Sequence, residues 1–215
     1  MDRRDALLNE LTPAQRLALA YAAPPCQSVA AALLVLDARL AASVRQAKEP
    51  MLAQIRLAWW RAQLSSTKAL SDSREDCLRE LGGWAGDAAA QLTELVDGWE
   101  ALIGLAADAE RAIERLAAAR ATALVAALAA GSSAQPAAQR WALWDIARLL
   151  GRSEIAVQAM ALAGGQDWHT LRLPRTARPV AMLHALARNN VAAARQDRFD
   201  LRDGLAMVRI GLFGR

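Results

Sequence analysis

The stretch QSVAAALLVLDARLAASVRQ, residues 27–46, sets Val29, Leu33, Leu36, Leu40 and Val44 at steps of four, three, four and four. Those steps return to one face of a 3.6-residue helix, whereas a half-buried strand would alternate every second residue. Pro24-Pro25 stands before the run and Glu49-Pro50 after it. The spacing therefore predicts a helix over about 27–46 with one side against a core. Asp37 lies four residues after Leu33 and three before Leu40, on that inward side. Burying an unpaired carboxylate is costly, so such a residue is paired, ligated or lines a cavity. Two readings stay open: Asp37 pairs with an arginine such as Arg56 or Arg61, or it is a functional carboxylate.

The same punctuation runs outward in both directions. Thr12-Pro13-Ala14-Gln15 combines a capping Thr, a Pro at the first helical position and a Gln at the third, the pattern of a capping box. This helix is expected to stop at Pro24-Pro25. Pro50 opens a helix through Met51, Ile55 and Trp59, Ser71-Asp72-Ser73 reads as a turn, and Gly82-Gly83 breaks the chain. A long helix follows with Trp84, Ala88, Leu92, Leu95, Trp99 and Leu102 on one side. Another is expected over about 106–130, closed by Gly131. Pro136 opens the next, which ends near Gly151. Ser153-Glu154 begins one that ends at Gly164-Gly165, 166–175 is irregular, and Pro179 begins a helix through Val180, Leu183 and Val191. The segment after Gln196 gives no clear pattern. Strand alternation is nowhere sustained. The expectation is a single all-α domain over residues 1–215, a bundle of eight or nine helices. Trp59, Trp99 and Trp144 are expected to be buried, with Trp60 turned to a different side.

Composition bounds the function. A chain of 215 residues, 54% hydrophobic, is long enough for one core. No run of eighteen apolar residues is free of charge, so a membrane-spanning helix is not expected. The start Met1-Asp2-Arg3-Arg4-Asp5 is followed by Asn9 and Glu10 rather than by an apolar stretch, which points to a cytoplasmic protein. Cys26 and Cys77 make no disulfide framework, and His169 and His184 do not combine with them at zinc spacing. Lys plus Arg total 26 against 22 acids, a net charge of +4. That excess permits anionic partners and selects none. Without aromatic–basic interleaving or a helix-turn-helix with a basic recognition helix, nucleic acid is not expected as a partner.

Four segments carry chemistry when taken in order: Leu34-Val35-Leu36-Asp37-Ala38-Arg39-Leu40-Ala41; Glu49-Pro50 with Gln54-Ile55-Arg56 and Trp59-Trp60-Arg61; Leu95-Val96-Asp97-Gly98; and Asp145-Ile146-Ala147-Arg148. With the later Leu173-Pro174, they resemble the squalene/phytoene synthase family over roughly residues 15–195. The segment 49–61 is the specific part, and the others count through their order. The resemblance implies the isoprenoid-synthase all-α fold with a central cavity for prenyl chains. It also implies head-to-head joining of two prenyl diphosphates. In that chemistry two aspartate-rich motifs on facing helices hold magnesium, whose charge offsets that of the departing diphosphate.

This sequence departs from the family at the metal-binding positions. The residue four after Asp37 is Ala41, and the positions four and eight after Asp145 hold Leu149 and Ser153. Asp37 and Asp145 are thus vestigial candidates for catalysis, and no metal site is expected. Arg56, Arg61 and Arg148 are candidate diphosphate contacts. Some relatives, including a mitochondrial branch linked to respiratory complex I assembly, have likewise lost these aspartates. The preferred expectation is a non-catalytic member that binds a protein, a prenyl lipid or a membrane surface. The alternative is an active prenyl transferase using magnesium with Asp37, Asp145 and further carboxylates such as Asp97 or Glu154. The chain is also short for the family beyond the resemblance.

Overall fold

The computed structural model describes residues 3–104, 108–169, 171–196 and 198–214, with the side chains of 3, 67 and 85–89 left aside. Every regular element in it is helical. The α-helices are α1 (Arg3–Glu10), α2 (Pro13–Leu19), α3 (Pro24–Arg45), α4 (Pro50–Leu64), α5 (Thr67–Asp72) and α6 (Asp76–Gly82). They continue with α7 (Ala85–Glu100), α8 (Ala109–Ala127), α9 (Gln135–Leu150), α10 (Glu154–Gly164), α11 (Arg178–Ala192) and α12 (Leu201–Phe213). Single 3-10 turns at Ser132–Ala134 and Arg175–Ala177 lead into α9 and α11.

The chain is thus an all-α bundle, with twelve α-helices among the described residues rather than eight or nine. The extra ones are short or lack a long apolar face. The capping box at Thr12 is present, the Thr12 side chain accepting from the Gln15 N–H. Helix α3 begins at Pro24 rather than near Gln27, because proline fits a helix's first turn, where its missing N–H costs nothing. Ser71 and Asp72 are helical, not a turn: the Ser66 side chain accepts from the Ala69 N–H and starts α5. Helix α8 ends at Ala127, and Gly131, at φ +79°, opens the following 3-10 turn instead of closing α8. The start expected near 106 lies outside the described residues, as does the side chain of Ala88. Gly151, at φ +64°, does close α9, its N–H donating to the Ala147 carbonyl.

Helix α3 is the spine. Ala30 to Asp37 are all buried, as are Leu40 and Ala41. By length and composition this helix could cross a membrane, but it is the core helix of the bundle and carries a buried ion pair. Helices α7, α8 and α9 pack successively beside it, α10 and α11 lie on α9, and α12 rests on α11 and α2. Alanines such as Ala117, Ala121 and Ala123 on α8, all fully buried, let the helices approach closely. The approach of α7 to α8 is close at Gly98, where a Cβ would stand 2.9 Å from Leu116 Cδ1 and 3.3 Å from its Cα. Gly98→Leu is expected to cost about 1–3 kcal/mol by overpacking this contact. A urea midpoint equal to that of the parent would show that α7 and α8 are not so tightly packed.

Candidate functional site: a buried chain of ion pairs

Asp37, Arg120 and Asp145 are 5%, 3% and 2% exposed. They come from α3, α8 and α9, so three helices each bring one charge to the same interior point. Arg120 joins the two carboxylates. Its Nε and Nη2 donate to Asp37 Oδ2 at 2.8 and 2.6 Å, and Nη2 also donates to Asp145 Oδ2. Its Nη1 donates to the Ala142 carbonyl at 2.8 Å. The remaining oxygens are also satisfied. Asp37 Oδ1 accepts from Trp99 Nε1 of α7 at 2.8 Å, and Asp145 Oδ1 accepts from Arg148 Nε at 2.6 Å. The Arg120 guanidinium lies 5.2 Å from the Trp141 ring centre and 5.9 Å from that of Trp99, within cation–π range.

Two carboxylates and two guanidiniums make the set neutral, which is how buried charge is tolerated. Burial alone would weaken the hold of Arg120 on its proton, but Asp37 and Asp145 outweigh it and raise the pKa above its ordinary value. Burial pushes the Asp145 carboxyl up, and Arg148 and Arg120 together more than reverse this, leaving it below the usual range.

The space left at this point is about 10 Å³, lined by Leu33, Leu34, Asp37, Arg120, Trp141 and others. Ligand pockets generally measure about 300–1,000 Å³. At the level of Asp37 and Asp145 the space between α3 and α9 is filled by the Arg120 side chain and its tryptophan neighbours. An open cleft of about 700 Å³ lies instead at the C-terminal ends of these helices, beside Val44, Arg45, Leu150 and Ile155. Nor do these residues fit magnesium. Each oxygen of Asp37 and Asp145 already accepts a hydrogen bond from a guanidinium or an indole, and a cation between them would have to displace Arg120. Among the described residues no group of three or more His, Cys, Asp or Glu side chains is placed to hold a metal ion.

The structure separates the candidate diphosphate contacts. Arg148 lines a crevice of about 210 Å³ with Trp141, Trp144, Leu183 and Phe199, and neither Arg56 nor Arg61 reaches it. Arg61 pairs across to α7, with Glu100 at 2.6 Å and with Asp97, and both acids raise its pKa. Arg56 is exposed on α4. Neither Arg56 nor Arg61 is the partner of Asp37; that place belongs to Arg120. Asp97 is therefore held at the rim of the bundle by Arg61, and Glu154 is exposed at the start of α10.

Trp99 and Trp144 are buried as expected, but Trp59 is 46% exposed and its neighbour Trp60 only 7%. The inward face of α4 is Ala53, Leu57, Trp60 and Leu64, which also steps by four, three and four. The competing row Met51, Ile55 and Trp59 faces outward, and Trp59 keeps an edge-to-face contact with Trp60 at 4.8 Å. Cys26 and Cys77 are both free, and burial pushes the Cys77 thiol up to about 11.

Fold and interior together define a class: an all-α bundle closed around a neutral chain of ion pairs whose carboxylate oxygens all accept hydrogen bonds. No protein-family model, curated protein or solved structure matches the chain.

Proposed function

We propose that this protein is a non-catalytic counterpart of the squalene/phytoene synthases that works by binding, with a buried arginine standing where the enzymes place metal-held diphosphate. The observation that carries this reading is Arg120, bonded at once to Asp37 and Asp145 in a space of about 10 Å³. Ionising a diphosphate needs preorganised positive charge next to the leaving group and a cavity that admits it. Here the positive charge is covalently part of the chain, and its hydrogen bonds are taken by the protein's own carboxylates. The ordered likeness of segments 34–41, 49–61, 95–98 and 145–148 supports the family reading. The filled space around Arg120 favours recognition of a partner away from the Asp37–Asp145 point, at the surface or in the open cleft beside Val44 and Leu150.

Purified protein incubated with farnesyl or geranylgeranyl diphosphate, magnesium and a reduced nicotinamide cofactor is expected to form no head-to-head product. Sustained product formation that disappears in Asp37→Ala would establish the opposite reading, an active prenyl transferase.

A further inference from the structure

Helix α12 turns a second apolar face away from the bundle. Its inward residues are Asp203, Met207 and Gly211, and the ring of Tyr21 lies 2.6 Å from where a Cβ on Gly211 would stand. On the other side Leu201, Leu205 and Leu212 are 80%, 63% and 53% exposed. At about 100° per residue these three and Val208 fall within an arc of roughly 60°. Phe213 at the end of the helix is 69% exposed, whereas Phe199 just before it turns to the crevice beside Arg148. Arg202 and Arg209 flank the leucines, exposed and without a carboxylate partner among the described residues, and Arg198 stands before them. The acids of this segment are already used. Asp200 and Asp203 cap the helix reciprocally, and Asp203 is buried.

We infer that α12 is a docking face for an anionic lipid surface, on which its leucines and Phe213 enter the headgroup boundary while Arg202 and Arg209 meet lipid phosphates. Charge decides the occupant. An outward face that is apolar along its centre and purely cationic along its flank is the pattern of a helix lying in a membrane interface. A second copy docked through this same face would set Arg202 and Arg209 against the same arginines or against Gly204, while the acids of α12, Asp200 and Asp203, are held in its N-terminal cap. The leucine row is also too short for a self-standing coiled coil, which needs three or more heptads. The outward face of α4, with Met51, Ile55 and Trp59, does not select the same partner. Its rim is of mixed sign, with Glu49 at its start and Asp97 and Glu100 held by Arg61.

The test is flotation of the full chain with phosphatidylcholine vesicles and with mixed phosphatidylcholine–phosphatidylglycerol vesicles. Binding is expected only to the mixed vesicles and should weaken with added salt. Leu205→Glu with Leu212→Glu should reduce it to background. Arg202→Gln with Arg209→Gln should lower it about 25-fold, since each basic residue near an anionic surface contributes about fivefold. Ile55→Glu on α4 should leave it unchanged. Circular dichroism checks that each variant is folded, and the arginine pair decides the matter if the leucine pair is not. The inference is overturned if the parent fails to float with the anionic vesicles or if the arginine variant floats as well as the parent. It is equally overturned if the parent is a dimer that Leu205→Glu with Leu212→Glu makes monomeric while vesicle binding is absent.

Discussion

Arg120→Met is expected to cost about 3–5 kcal/mol of folding stability, because removing one partner of a buried ion pair leaves uncompensated charge in the interior. Here the loss strands two carboxylates at once: Asp37 keeps only Trp99, and Asp145 keeps only Arg148. Against a typical total of about 5–15 kcal/mol, the expected cost is a large fraction of the folding stability. Making Asp37→Asn and Asp145→Asn in the same chain should recover part of the loss, since both buried carboxylate charges vanish with the Arg120 guanidinium and only Arg148, at 13% exposure, loses a carboxylate partner. Urea titrations of the three proteins, followed by tryptophan fluorescence, would show midpoints in the order parent, triple variant, Arg120→Met. A single variant as stable as the parent would mean that the arginine does not bind the two carboxylates in the folded protein. In that event the case against a metal-holding interior would fall with it.

Asp37 and Arg120 show how far the sequence could be read. The apolar steps around Asp37 place it on the inward face of α3, and it is there. The same rule applied to α8 would have found its partner, because Arg120 stands four residues after Leu116 and four before Leu124, both buried. The signal was present in LAAARATAL but masked by alanine, which contributes little periodicity of its own. Sequence proximity to the 49–61 segment suggested Arg56 or Arg61 instead, yet which arginine reaches Asp37 depends on how α3, α8 and α9 cross. Helix α4 failed for a different reason. Its apolar residues form two rows, 51/55/59 and 53/57/60/64, and only packing decides between them. Helix α12 was legible in principle from Asp200 and Asp203, a reciprocal cap three residues apart. Its apolar residues lie on both sides, however, so no single face announced a helix.

Acidification should expose a second stress, centred on His184. This side chain is 4% exposed, stacks on Trp168 at 5.2 Å, and has no partner for its buried Nε2 among the described residues. Burial lowers its pKa from 6.5 to about 4, and Arg140, Arg188 and His169 push the same way. Because the folded value lies below the unfolded one, the unfolded chain takes up the proton first. Stability is therefore complete above pH 6.5 and declines as pH falls toward 4. At about 1.4 kcal/mol per unit, the loss reaches about 3 kcal/mol at the bottom of that window. Asp145 also destabilises the fold in acid, but its pKa is held below 3.8, so its loss begins only at lower pH. The two are thus separable along the pH axis. Thermal melts of the parent between pH 7 and pH 4.5 should show a falling midpoint, and His184→Gln, which does not titrate, should flatten that slope while leaving the steeper loss below pH 4 in place. An unchanged slope in His184→Gln would mean that the imidazole is solvated or bonded in the folded protein, and that the acid sensitivity resides in the carboxylates alone.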